Sequence, residues 1–105
     1  MPTYVSLLRY TEQGIKAIKD SPKRRVAAEK AVAAMGGRII HTYLTMGRYD
    51  LVSIIEAPDD ETAAKIALAT GSQGFVSTET MRAFTEAEFD SLIKSLPADA
   101  RRMGS

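Results

Sequence analysis

Arg38-Ile39-Ile40-His41-Thr42-Tyr43-Leu44-Thr45-Met46-Gly47-Arg48-Tyr49-Asp50-Leu51-Val52-Ser53-Ile54-Ile55-Glu56-Ala57 is the stretch whose reading decides the fold. It divides into two β-branched and aromatic runs, Arg38 to Met46 and Tyr49 to Ala57, around Gly47-Arg48. A glycine at the first central position predicts a two-residue type II′ hairpin turn. That turn sets a register in which Leu44 faces Leu51, Thr42 faces Ser53 and Ile40 faces Ile55. On the other side Thr45 faces Asp50, Tyr43 faces Val52, His41 faces Ile54 and Ile39 faces Glu56. Both sides are apolar through the middle. A sheet with helices on one side only should carry a polar outer face, so the second face is expected to be covered by another subunit.

Working outward, Thr3 to Arg9 reads as a strand, and Thr11 as the N-cap of a short helical stretch holding Ile15 and Ile18. Ser21-Pro22 starts the next helix, with proline in its first turn. Ala28, Ala31, Val32 and Met35 form its buried stripe, and Gly36-Gly37 ends it. Beyond the hairpin, Asp59 caps a helix with Ala63, Ile66, Ala67 and Thr70 inward and Gly71 at its end. Phe75 to Phe84 is the last strand. Thr85 and Glu88 form a capping box before the apolar stripe Phe89, Leu92, Ile93 and Leu96, and Pro97 stops the helix. Met35, Met46 and Met81 read as core filler. The order β-α-β-β-α-β plus a terminal helix is that of an α+β ferredoxin-like plait, with both helices on one sheet face. Its expected assembly is a dimeric α+β barrel. Residues 1–96 make one domain; residues 97–105 are expected to be a flexible tail, with Gly104-Ser105 vector-derived.

The composition narrows the function. One domain of 105 residues with 45% hydrophobic and 26% charged residues is ordinary globular material. Cysteine is absent, which removes disulfides, thiol nucleophiles and cysteine-ligated zinc. A single histidine argues against a histidine-based metal site, and no metal or other cofactor is expected. No apolar run reaches the ~18–20 residues of a membrane span, and no signal segment follows Met1. The net charge is +1, but residues 1–50 carry nine basic and four acidic groups and residues 51–105 carry five and nine. The one dense basic cluster, Lys16, Lys19, Lys23, Arg24 and Arg25, reads as a solvated helix face, so nucleic acid is not an expected partner. Ser72-Gln73-Gly74 follows a helix rather than preceding one and is no phosphate loop.

Met46-Gly47-Arg48-Tyr49-Asp50-Leu51-Val52 completes a set of motifs that resembles the GYD domain family, named for a Gly-(x)-Tyr-Asp signature. In the same order stand Tyr4-Val5-Ser6-Leu7-Leu8, Gln13-Gly14-Ile15-Lys16, Lys19-Asp20-Ser21-Pro22, Glu56-Ala57-Pro58-Asp59-Asp60 and Thr78-Glu79-Thr80-Met81-Arg82-Ala83-Phe84. The resemblance covers about residues 2–94. It implies a bacterial or archaeal cytoplasmic protein with a ferredoxin-like, dimeric α+β barrel fold, and it brings no mechanism. His41 and Thr42 depart from the small or aromatic residues expected there, so a role for His41 would be particular to this chain.

Each candidate residue has a structural reading and a functional one. Gly47, Tyr49 and Asp50 serve the turn, a cross-strand contact and backbone hydrogen bonds, or place Tyr49 and Asp50 at a pocket rim. His41, with Tyr43 on the same face, is a satisfied structural histidine or a base near neutral pH. Glu79 and Arg82 fall on opposite faces of the last strand. Glu79 inside a barrel is a candidate general base; Arg82 could bind an anion bidentately; either could instead form an intersubunit ion pair. Glu56, at a strand end, reads as solvated. The catalytic candidates are therefore His41, Tyr43 and Glu79, and the ligand-binding set is His41, Tyr43, Thr45, Tyr49, Asp50 and Arg82. Three functions stay open: a homo-oligomeric binder of a small organic molecule, with or without a sensory role; a cofactor-independent monooxygenase or isomerase; and a pure assembly module.

Overall fold

In the computed structural model, which describes residues 1–98, strand β1 (Thr3–Tyr10) lies inside a four-stranded antiparallel sheet. It is flanked by β3 (Leu51–Glu56) and β4 (Val76–Ala83), and β2 (Arg38–Leu44) pairs with β3 at one edge, giving the order β2-β3-β1-β4. Helices α1 (Glu12–Lys16), α2 (Ser21–Ala34), α3 (Asp60–Ser72) and α4 (Glu86–Lys94) complete the described chain. Each βαβ half is split: β3 lies between β1 and β2, and β1 lies between β3 and β4. This is the ferredoxin-like α+β arrangement. The expected tail falls on residues 97–105, of which 99–105, including Gly104-Ser105, lie outside the described residues.

Side-chain caps explain where α1, α3 and α4 begin, whereas α2 starts with a proline in its first turn and no side-chain cap. Thr11 accepts from the Gly14 amide, Asp59 from the Thr62 amide, and Thr85 and Glu88 form the reciprocal capping box. Gly36, after α2, has a φ of 87°, which only glycine adopts without strain. Helix α3 continues past Gly71 to Ser72, and the positive φ falls on Gly74 instead.

The hairpin departs from its expected geometry at both ends. Gly47 is not at positive φ, so no type II′ turn forms. The strands stop at Leu44 and Leu51, and a wider loop is closed by the Thr45 amide donating to the Asp50 carbonyl at 2.8 Å and the Thr45 hydroxyl to the Tyr49 carbonyl at 2.5 Å. Side-chain anchoring of that loop replaces the local turn chemistry. The register from His41↔Ile54 to Leu44↔Leu51 is as the sequence predicts, but a bulge at Ile40 shifts what precedes it. Ile39 then pairs with Ile55 rather than Glu56 and joins the core side of the sheet. An extra residue in one strand reverses the alternation of all positions beyond it.

Tyr4, Val32, Ile55, Ala57, Ala63 and Ile66 form the buried core, with Met35 and Ile39 packed against it. Met46 and Met81 are not core filler: Met46 is fully exposed in the loop, and Met81 is 45% exposed on the outer sheet face. Helix α2 packs on β2 and α3 on β4, whereas α4 has no extensive packing on another described element. Its stripe of Phe89, Leu92, Ile93 and Leu96 is consequently about half exposed.

Two glycines make opposite predictions. A Cβ on Gly14 would land on the Phe75 carbonyl, whereas one on Gly47 meets nothing within 4 Å. Gly14→Ala should destabilise by about 1–3 kcal/mol through overpacking against backbone, and Gly47→Ala should stay within about 0.5 kcal/mol of the parent. Urea denaturation midpoints check both.

Candidate functional site

A cleft of about 170 Å³ opens between the sheet and helices α2 and α3. Its floor follows from the register. Thr42 pairs with Ser53, Ser53 with Ser6, and Ser6 with Thr80, so one row of hydroxyls crosses all four strands. Ser6 and Ser53 are buried, a cost that hydrogen bonding offsets. Thr42 bonds Ser53 at 3.1 Å and Ser6 bonds Thr80 at 2.9 Å. The walls are apolar, with Ala28 and Val32 from α2, Met35 at its C-terminal end, and Ala63, Ile66 and Ala67 from α3. Small residues on facing stripes leave the space between the helices.

Arg24 lines one end of this cleft and departs from the solvated face assigned to its cluster. Its guanidinium stacks over the Phe75 ring at 4.3 Å and donates through Nη1 to the Ala17 carbonyl at 3.0 Å. Beside it, the Tyr10 and Ser21 hydroxyls bond each other at 2.9 Å. Arg24, Tyr10 and the hydroxyl row are absent from the sequence-derived site. The pairing of Thr42 with Ser53 is visible in the hairpin, and Ser6 and Thr80 could have been found as the hydroxyl positions of their own strands. Arg24 carries no such signal, because its direction depends on where Phe75 comes to lie.

The sequence-derived candidates are distributed rather than gathered. His41 and Tyr43 sit together on the outer face of β2, ring centroids 5.8 Å apart. Glu79 shares that outer face but stands at the other edge, in the row Tyr43-Val52-Leu7-Glu79. Three strand spacings put it roughly 14 Å from Tyr43, too far for direct proton exchange. Tyr49 does meet Glu79: its hydroxyl donates to Oε2 at 2.5 Å, and Arg9 covers its ring at 5.1 Å. These residues line a shallow hollow with Leu7, Ser77 and Thr78. Arg82 lies on the helix side, where it donates to the Thr3 carbonyl, stacks on Phe84 at 4.4 Å and pairs with Glu88 at 3.6 Å. It thereby ties the start of α4 to the sheet and does not line the cleft. Glu56 is not simply solvated, since it bonds Arg38 at 2.8 Å across the hairpin. Among the described residues no group of three or more histidine and carboxylate side chains is placed to hold a metal ion.

Asp50 serves the backbone. Its Oδ2 accepts from the Tyr10 amide at 2.9 Å, and its own amide donates to the Leu8 carbonyl at 2.8 Å. The side chain thus extends the β1–β3 ladder past its last residue pair, while Thr45 fastens the other side of the loop. Asp50 and Thr45 are thereby engaged within the chain.

Two tyrosines are perturbed. Burial pushes the Tyr4 hydroxyl up to about 12, helped by its hydrogen bond to the Asp60 carboxylate. The Tyr49 hydroxyl is raised above its ordinary value chiefly by donating to Glu79, and desolvation adds to this. Both bonds need the protonated phenol.

A two-layer α+β plait with a hydroxyl-floored cleft on one side and an open sheet on the other defines the class of protein. Residues 4–93 match the GYD domain family, and the chain belongs to that family. It is 30% identical over 95 residues to the glutamine synthetase and cystathionine beta-lyase binding protein of Thermus thermophilus, covering 90% of this chain and all of that one. The crystal structure of TTHA0845, also from Thermus thermophilus, superposes with a TM-score of 0.48 at 26% identity, covering 81% of this chain and 95% of that one. No described helix is long and apolar enough to cross a membrane.

Alkaline spectrophotometric titration should reveal these tyrosines. Replacing Glu79 by Gln should move the Tyr49 transition to lower pH, and Tyr4→Phe should remove the transition near pH 12. Because both folded-state values lie above 10, these bonds stabilise fully below pH 10, and the contribution disappears as pH rises through the raised values. An unshifted Tyr49 transition in Glu79→Gln would contradict the hydrogen-bond assignment.

Proposed function

We propose that this protein is a homo-oligomeric binding protein whose protomers pair through the outer faces of their sheets. The observation that carries this reading is the outer face itself. Val5, Leu7, Val52 and Ile54 occupy its centre by register, Met81 flanks them on edge strand β4, and the helices that pack on the sheet lie on the opposite side. A second copy supplies the same apolar surface in a two-fold arrangement, closing two sheets into an α+β barrel. His41, Tyr43, Tyr49 and Glu79 then stand around the buried centre as its polar rim.

A binding role draws support from two sides. The cleft between sheet and helices is the kind of concave, mostly apolar site that takes a small molecule. The Thermus relative is named for binding two enzymes, which supports a protein partner as well. Catalysis by His41, Tyr43 and Glu79 draws less support, because Glu79 stands at the far edge of the sheet from the other two.

Light scattering should give a mass that is a multiple of 11.4 kDa. Met81→Asp places a charge on the apolar face of the proposed contact, at a side chain already half exposed in the protomer. It should yield a folded protein of 11.4 kDa with an unchanged circular dichroism spectrum. A monomeric parent, or an unchanged mass in Met81→Asp, would overturn the pairing.

A further inference from the structure

We infer that the cleft between the sheet and helices α2 and α3 binds a compact organic acid, its carboxylate held by Arg24 and its apolar body lying between the helices. The inference rests on the small-molecule part of the proposed function and adds the ligand's chemistry and orientation.

The polar accounting of the cleft singles out one group. The hydroxyls on the floor are bonded in pairs, Thr42 with Ser53 and Ser6 with Thr80, and Tyr10 with Ser21. Arg24 Nη2 is buried and has no hydrogen-bond partner, the one such side-chain atom among the described residues. A buried unpaired cationic donor is costly, and an anion is the group that compensates it best. Nη1 is already committed to the Ala17 carbonyl and the guanidinium face to Phe75. These contacts hold the stem beside the cleft it lines, and a carboxylate reaches the occluded Nη2 by a small turn of the guanidinium toward that space. The lining contains Arg24 and Arg25 and no carboxylate, so nothing in the wall competes for the charge. Arg25, by contrast, has Glu29 at 4.0 Å.

Size sets the other half of the ligand. At about 170 Å³ the cleft is well below the ~300 Å³ of drug-sized pockets. It is close to the ~150 Å³ apolar cavity that accepts benzene. An apolar body of about six heavy atoms fits, a single ring or a short chain, and the walls of Ala28, Val32 and Leu51 offer it no hydrogen bond. Benzoate and hexanoate meet both requirements; benzyl alcohol and hexanol keep the body and remove the charge.

Isothermal titration calorimetry on the full chain tests this with four probes and two variants. The parent should bind benzoate or hexanoate roughly tenfold to a hundredfold more tightly than the matching alcohol, the worth of a charge-assisted hydrogen bond. Arg24→Met keeps the apolar stem over Phe75 and should bring the acid down to the alcohol's affinity without changing the alcohol's. Ala28→Leu, one helical turn along, fills the space beside Arg24 and should abolish binding of both. Equal affinity for acid and alcohol in the parent would overturn the anion site while leaving a small-molecule cleft standing. Binding of neither probe pair would overturn the cleft as a small-molecule site as well. Acid affinity unchanged in a folded Arg24→Met would place the anion elsewhere. Should Arg24→Met fail to fold, the acid-to-alcohol ratio in the parent and the loss of both probes in Ala28→Leu still decide the matter.

Discussion

Split βαβ crossovers impose the constraint from which the rest follows. Each connects parallel strands with one strand between them, and such crossovers share one handedness because of strand twist. Both α2 and α3 therefore arrive on the same side of the sheet. One face acquires a roof of two helices, and the other has no element of the same plait to cover it. Under this constraint the outward apolar residues of β1, β3 and β4 are left without a helix packed over them. The alanines of α2 and α3 make sense as the walls of a gap, since two helices that each pack on a different strand need not touch each other.

The Gly-x-Tyr-Asp signature gains a physical meaning in this setting. Asp50 takes the place of a strand residue, its carboxylate receiving the Tyr10 amide where the β1–β3 ladder would otherwise end. Tyr49 leaves the loop in the opposite direction and crosses the outer face to Glu79 on β4, passing beneath Arg9. Two neighbouring residues thus bind the hairpin loop to the two strands beyond it. Gly47 itself has ordinary φ and open space around it; nothing in its surroundings requires glycine. The tightest glycine is Gly14, where the α1 turn presses against the Phe75 carbonyl just before β4, and Gly37 is also closely packed, against the Glu56 carbonyl.

The candidate site was only partly legible. Opposite faces for Glu79 and Arg82 follow from strand alternation alone and hold in the sheet. The Thr42–Ser53 pair was visible in the hairpin register, but its extension through Ser6 to Thr80 needs the pairings of β1 with β3 and β4. Met46 and Met81 illustrate a different limit. An apolar side chain has a composition but no direction, and methionine fits a core and an exposed contact surface equally well.

The amino-acid order by itself determined the element sequence, the caps at Thr11, Asp59 and Thr85, and the hairpin register from His41 to Leu44. These depend on interactions a few residues apart: hydroxyl to amide, side-chain alternation, a proline in a first turn. Tertiary structure alone decided the bulge at Ile40, the inward turn of Arg24 over Phe75, and the separation of His41 from Glu79 by the width of the sheet. In each of these the controlling neighbour lies far along the chain. A local pattern cannot carry that information, because it exists only once the strands have taken their places beside one another.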